Sequence, residues 1–425
     1  MRRIAAYLAS FAPRLPRVVW AIQAAGLANT FGNGVVVPFA IIYLHDVRGI
    51  SLTVAGLAAS ASALGAIAAS AAGGPLADRF GPRPILSAAL LVQAIAIACF
   101  PWIRTGWHAV VLQLAFGAGG GAFWPAQASL LTLLTPEDQR HVAFAQQRVA
   151  VNLGFGIGGV VGGAIAVASE PATFTVLFAI DALTFLVFAI LLARVPSPPA
   201  AQHHGVTGSY AVVLRDRAFV GLFLLNTLFV AAGIAPLIQL LPVYAKNVAG
   251  VSERAIGLIF FANTITIVLI QLRVARALEG RRRMQAFALM GVVWSATWLV
   301  VVAAVETLDA TPAAFVLAAS AAVLGAAECV HGVVHAPLVA DLATAATLGR
   351  YMALGALSWQ LAFVVGPAVG GALLDAHRVG VWIVVAAGCA VAAAWSLVLE
   401  RSLPPGARRT PAPRDAVPLA SAYDA

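Results

Sequence analysis

Residues 73–84 read GGPLADRFGPRP, a knot holding Asp78, Arg79 and Arg83 between long runs of Ala, Leu, Val, Ile, Gly and Ser. Charges confined in this way mark a turn at a membrane surface, because an ionised side chain inside hydrocarbon costs several kcal/mol. A turn this short needs Gly81 for its backbone freedom, and its arginines extend into water or lipid headgroups. The apolar runs on either side are then the ends of two membrane spans.

Composition along the rest of the chain agrees. Of 425 residues, 61% are hydrophobic and only 10% charged, and the mean hydropathy is +0.92. A water-soluble protein of this size needs far more charge on its surface, so lipid is the solvent that fits. The net charge of +9 is scattered between apolar runs. With no basic patch interleaved with aromatics, nucleic acid is not an expected partner. Cys99, Cys329 and Cys389 each fall inside an apolar run and imply no disulfide framework.

A hydrocarbon core about 30 Å thick takes about 20 apolar residues per helix. Twelve such runs follow one another, at 18–44, 52–75, 84–104, 107–134, 142–168, 172–194, 218–246, 254–277, 285–305, 312–340, 351–375 and 379–399. If the chain begins inside, twenty-one basic residues fall on the inner segments, counting the inner parts of the spans, and only Arg48, Arg104, Lys246, Arg254 and Arg378 on the outer ones. That asymmetry obeys the positive-inside rule and predicts two cytoplasmic termini. The fold class is therefore an all-α membrane protein of twelve transmembrane helices. Its expected parts are a cytoplasmic arm over 1–17, not a cleaved signal; a six-helix bundle over 18–194; a cytoplasmic linker over 195–217, opening with VPSPPAAQHHGVTGSY; a second six-helix bundle over 218–400; and a disordered cytoplasmic tail over 401–425.

The two halves echo each other. GIS at 49–51 followed by AGL at 55–57 recurs as GVS at 250–252 followed by IGL at 256–258, and Gly162–Gly163 recurs as Gly370–Gly371. The 73–84 knot has a basic counterpart, RALEGRRR, after the eighth run. Weak self-similarity at half the chain length predicts two pseudo-symmetric bundles facing a central site.

Twelve spans, a central linker and GGPLADRFGPRP after span two resemble the major facilitator superfamily over essentially the whole chain. The family signature Gly-x-Leu-Ala-Asp-Arg-x-Gly is matched by Gly74, Leu76, Ala77, Asp78, Arg79 and Gly81, with Arg83 following and Pro82 standing where a basic residue is common. The resemblance implies transport by alternating access, with Asp78, Arg79, Gly81 and Arg83 as a gating latch on the cytoplasmic side. The competing reading is a solvated positive-inside turn. In span five, Gly154, Gly158, Gly162 and Gly163 within GFGIGGVVGG resemble a glycine–proline element of exporters in this family, with Gly159 in place of its proline. Gly366, Pro367, Gly370 and Gly371 in span eleven carry the intact form. Small residues at this spacing let helices approach closely, so packing accounts for them as well as gating does. In span four, Gln113 occupies the place of an arginine associated in the family with proton traffic, and the middle of span one holds no acid.

Ionisable residues at bilayer depth are candidate functional groups. Glu328 stands in GAAECVHGVVHAPL, with His331 at i+3 and His335 at i+7, a spacing that predicts one shared helix face. It lies about 20 Å along the helix from Asp341, near mid-membrane. The resemblance places spans one, four, seven and ten around the cavity. Glu328, His331 and His335 are accordingly candidates for proton coupling or substrate contact, together with Asn29, Asn33, Gln113, Trp124, Gln127, Asn226 and Gln239. A hydrogen-bonded structural cluster is the alternative, and a metal site at His331 and His335 a lesser one, since no further ligand is apparent. Arg148 and Asp181, at comparable depth on neighbouring spans, are expected to form a buried charge pair.

No phosphate-binding Gly-x-x-x-x-Gly-Lys-Ser/Thr loop occurs, so neither ATP nor any other cofactor is expected. The function expected is export of lipophilic small molecules in exchange for protons across a bacterial plasma membrane, by a monomer. Import or facilitated passage of a small metabolite is the alternative. A metal-dependent intramembrane enzyme built on Glu328, His331 and His335 is the remote one.

Overall fold

A computed structural model describes residues 15–136, 139–196, 211–344 and 347–410, the side chains of 71–75, 77, 78 and 141 aside. Its twelve long apolar helices are α1 (Arg17–Val47), α2 (Leu52–Phe80), α3 (Pro82–Ala98), α4 (Gly106–Leu134), α5 (Arg140–Ile165) and α6 (Pro171–Leu192), then α7 (Arg217–Gln239), α8 (Glu253–Ala277), α9 (Arg283–Thr307), α10 (Ala310–Leu342), α11 (Leu348–Ala376) and α12 (Gly380–Leu399). Each is long and apolar enough to cross a membrane. The first bends at Pro38, where a short 3-10 turn interrupts the α-helix, and the seventh around Pro236, because a proline removes one backbone donor and crowds the preceding turn.

Helix packing repeats with a shift of six. In the first half α1 packs on α5 and α6, α2 on α4, and α3 on α4 and α6; in the second α7 packs on α11 and α12, α8 on α10, and α9 on α10 and α12. The contacts between halves obey the same rule, α2 against α11 and α5 against α8. Backbone conformation repeats as well. Gly49 and Gly250 end the first spans of the two halves at φ 67° and 70°, and Gly81 and Gly280 stand in the turns after α2 and α8 at φ 84° and 69°. These left-handed values exclude most side chains, which is why glycine stands at both members of each pair.

The glycine runs of α5 and α11 divide their faces between two neighbours. On α5, Gly154, Gly158 and Gly162 meet the α1 backbone at Leu27, Phe31 and Val35, while Gly163 meets Glu253 of α8 across the halves. On α11, Gly366 and Gly370 meet Ala235 and Leu240 of the seventh span and its continuation, while Gly371 meets Leu52 of α2. In each helix one glycine row seats the span in its own half and the adjacent row joins the halves.

Of the parts expected around the bundles, residues 1–14, 197–210 and 411–425 lie outside the described residues. Within the linker, Ala211–Arg215 is a short helix, and Asp216 then caps α7 by accepting from the Ala218 and Phe219 amides at 2.9 and 3.3 Å. The expectation of a disordered tail from 401 is corrected. Residues 401–410 fold back on the α8–α9 turn, burying Leu403 and Ala407. There Arg283 donates to the Ala407 carbonyl at 3.1 Å and pairs with Asp341 at 2.6 Å, and the Thr410 amide donates to Arg281 at 3.0 Å. Composition overlooks this because the holding groups are largely backbone carbonyls and one buried arginine.

Candidate functional site

A cavity of about 390 Å³ lies between the halves. Its wall is mostly aliphatic and aromatic, from Val36, Ala40, Ile41, Ile97, Phe116, Phe155 and Phe363 among others, with Asn33, Gln113, Trp124 and Gln239 set into it. Four of the candidates read from sequence therefore meet here. The cavity also takes in Thr30 of α1, Ser62 of α2, Gln93 of α3 and Gln360 of α11, which the sequence reading did not single out because a lone polar residue in an apolar run carries no facing information. Asp181 of α6 borders it too.

The remaining candidates lie elsewhere. Gln127 accepts from Gln147 at 2.8 Å, linking α4 to α5 beside a small hollow next to Gln23 and Gly26. Asn29 is buried with its side-chain oxygen unpartnered, and its backbone carbonyl takes a 3.3 Å bond from Asn33. Asn226 is buried inside the second half, where it bonds His331 Nε2 at 2.6 Å and donates to Ser358 Oγ at 2.7 Å. The Ser358 hydroxyl donates onward to the Gly355 carbonyl at 2.6 Å. His331 is stacked between Phe287 and His335, at ring separations of 5.8 and 5.2 Å, with Trp359 against its edge. Asp78 lies outside the residues whose side chains are described. Near it, Arg83 donates to the Ala193 carbonyl at 2.8 Å, tying the 73–84 turn to the end of α6.

Two expectations need correction. Glu328, His331 and His335 do not form one cavity-facing cluster: α10 contributes nothing to the described cavity wall, and His331 turns into the second half to complete the Asn226–Ser358 chain. Partly buried Glu328 instead faces the seam between halves, where the opposite charge acting on it is Arg148. Arg148 does not pair with Asp181. Its guanidinium lies against Gly332 of α10, whereas both carboxylate oxygens of Asp181 lack any hydrogen-bond partner. The reason is angular. Residue 148 stands about 120° around α5 from Gly154, the nearest of the glycines that seat on α1, and it points toward α10 rather than toward α6.

One end of the cavity is closed by three acids, each reaching the opposite half. Asp375, at the end of α11, accepts from the Leu52 amide at 3.3 Å, the Thr53 amide at 2.7 Å and the Thr53 hydroxyl at 2.5 Å, so it caps α2. Glu253, in the first turn of α8, accepts from the Ala168 amide at 3.0 Å and pairs with Lys246 at 2.9 Å. Asp46 accepts from Asn247 at 3.0 Å. A carboxylate at the positive end of a helix dipole is favoured there. Just beyond the cap, Gly56 meets the Pro367 carbonyl and Gly257 meets that of Gly159, so the two backbones approach without side chains between them. Residue position alone hid this closure, since each acid stands at a helix end and gains a partner across the halves.

Two six-helix halves around a central cavity, closed at one end by contacts between halves, are the architecture of a membrane transporter. The model of the Major Facilitator Superfamily matches residues 24–316 and 247–423, and the chain belongs to that family. It is 26% identical over 364 residues to the Multidrug resistance protein MdtH of Aeromonas salmonicida, a match spanning 84% of this chain and 87% of that one. It is 27% identical over 233 residues to a Na(+), Li(+), K(+)/H(+) antiporter of Planococcus maritimus, across 50% of this chain and 54% of the other. Among solved structures it resembles a D-xylose-proton symporter with a TM-score of 0.74 at 18% identity, over 92% of this chain and 99% of that one. It also resembles the nucleoside transporter NupG with a TM-score of 0.73 at 13% identity, over 90% and 99%. The structural likenesses define the fold.

Proposed function

We propose that the chain exports lipophilic small molecules across a bacterial inner membrane in exchange for protons, with both termini in the cytoplasm. The observation that carries this reading is the wall of the central cavity: a largely apolar surface set with side-chain amides, two hydroxyls and the Asp181 carboxyl, of a size for a small organic molecule. Such a wall selects by desolvation and shape rather than by a fixed set of hydrogen bonds. A sugar or nucleoside site needs convergent polar partners, because a hydroxyl buried without one costs about 1–3 kcal/mol. Kinship with a protein named for multidrug resistance points the same way.

In this reading the state described is closed at the Asp46–Glu253–Asp375 end, which faces the outside, and open toward the arginine-rich end. Asp78, Arg79, Gly81 and Arg83 form the latch that closes the opposite end in the alternate state. Glu328 and Arg148, on facing halves, change their separation as the halves rock. Purified protein in liposomes with an acidic lumen tests the proposal: a lipophilic cationic dye is expected to accumulate only while the pH gradient stands. Accumulation that ignores the gradient, or occurs only for hydrophilic metabolites, overturns it.

A further inference from the structure

We infer that Asp181 is the carboxyl that takes up and releases the exchanged proton, from a niche behind Gly32 at the cavity wall. This rests on the proton-exchange reading above. Asp181 lies midway along α6, borders the cavity and is 0% exposed. It reaches the wall because residue 32 has no Cβ; one built there would overlap Asp181 Oδ1 and Thr184 Oγ1. The Thr184 hydroxyl is spent on the Asp181 backbone carbonyl, at 2.7 Å. The carboxylate oxygens are both unpartnered.

No described charge compensates it. The elements packed on α6 are α1, α3, α5 and the short Phe100–Trp102 turn, and α4 meets it through Phe116 and Phe123, its titratable His108 standing in its first turn, far along the axis from mid-membrane. The first carries Arg17 at one end and His45 and Asp46 at the other; α3 carries Arg83; α5 carries Arg140, His141 and Arg148; the turn carries none, and Asp181 is the only charged residue within Pro171–Leu192. Arg83 is engaged by the Ala193 carbonyl, Arg140 donates to the Thr132 carbonyl at 3.2 Å, and Arg148 lies against Gly332. Arg17 and His141 stand within the first two residues of their helices, far along the axis from mid-membrane. None of the described cations makes an ion pair with Asp181.

An isolated carboxylate in such a place neutralises itself by binding a proton, because burying the bare charge costs far more than holding the acid. The cavity supplies the exit. When water enters from the open end, the Asp181 O–H bond breaks, the proton passes to a cavity water as hydronium, and the negative charge remains on Asp181. A cationic substrate then stabilises that charge, so loading and proton release become one event. Asn33, Gln93 and Gln113 on the same wall offer hydrogen-bonding stations for the water.

Infrared titration of the full-length purified protein decides the site without requiring transport. The wild type should show a protonated-carboxyl C=O band that bleaches as pH rises and on addition of the lipophilic cationic dye. That band should be absent from Asp181→Asn and retained in Glu328→Gln. A band unchanged in Asp181→Asn, or lost in Glu328→Gln, overturns the assignment. Should Asp181→Asn fail to insert, Asp181→Glu replaces it: the band must shift in frequency, and an unshifted band overturns the assignment equally. In liposomes, Asp181→Asn should lower gradient-driven dye accumulation at least tenfold, and a wild-type response overturns the coupling role. A wild type that ignores the gradient would remove the exchange reading of the preceding section, while the infrared band still decides whether Asp181 holds a proton.

Discussion

The two halves share one packing scheme and differ at a pair of equivalent glycines. Gly32 on α1 and Gly233 on α7 are 201 residues apart, the spacing that separates Gly49 from Gly250. Behind Gly32 stand Asp181 and Thr184; behind Gly233 stands the buried indole of Trp294, whose Nε1 donates to the Leu324 carbonyl at 3.1 Å. In the second half one set of buried polar groups is joined in a chain, His331 to Asn226 to Ser358 to the Gly355 carbonyl, while His335 Nε2 and the Trp298 and Trp382 Nε1 atoms have no partner. In the first half Asp181 and the Asn29 oxygen have no partner. A satisfied network rigidifies a bundle, whereas an unsatisfied acid beside a cavity holds chemistry in reserve. The equivalent glycines therefore back onto a packed indole in one half and onto an unpartnered acid beside the cavity in the other.

The sharpest way to break this comparison is to add one methyl group at each glycine. Gly233→Ala drives a Cβ into the ring of Trp294, which is packed on all sides, so a loss of about 3 kcal/mol is expected. Gly32→Ala meets the Thr184 hydroxyl and the Asp181 carboxylate, two side-chain ends that can turn aside, the carboxylate into the cavity, and about 1 kcal/mol is expected there. Thermal unfolding in detergent measures both, and equal losses would mean the niche is packed like the second half. Asn226→Ala comes next. It strands His331 Nε2 and takes from Ser358 its incoming amide donor, at about 2 kcal/mol, and Asp181→Asn should lower the unfolding temperature by less than half as much, since no hydrogen bond is broken.

Smaller effects attend the closed end. Asp375→Ala leaves the first amides of α2 uncapped, a loss of about 1 kcal/mol. That is equivalent to about a fivefold shift toward the outward-open state. Labelling of a cysteine at position 41, on the cavity wall, by an impermeant reagent from outside should quicken accordingly; an unchanged rate would mean the glycine contacts alone hold the halves. Position 282 is expected to give no signal at all. A cysteine there should resist the same reagent in intact cells, and labelling would invert the proposed orientation.

Much of the architecture was legible because a bilayer forces each span to be about 20 apolar residues long, and the described helices match the twelve runs, the largest difference being the seventh, which ends at Gln239 rather than at 246. The family was legible in Gly74, Leu76, Ala77, Asp78, Arg79 and Gly81, and the internal repeat in Gly49 and Gly250, whose positive φ only glycine tolerates well. What composition and spacing leave open is rotation about each helix axis in a bundle that is apolar nearly all round. A lone Asp181, Gln93 or Glu328 does not declare which neighbour it faces. Only the tertiary structure turned Arg148 toward Gly332 and away from Asp181, drew His331 into the Asn226 chain, and set Asp181 behind Gly32, because those directions follow from which glycine rows let two backbones touch.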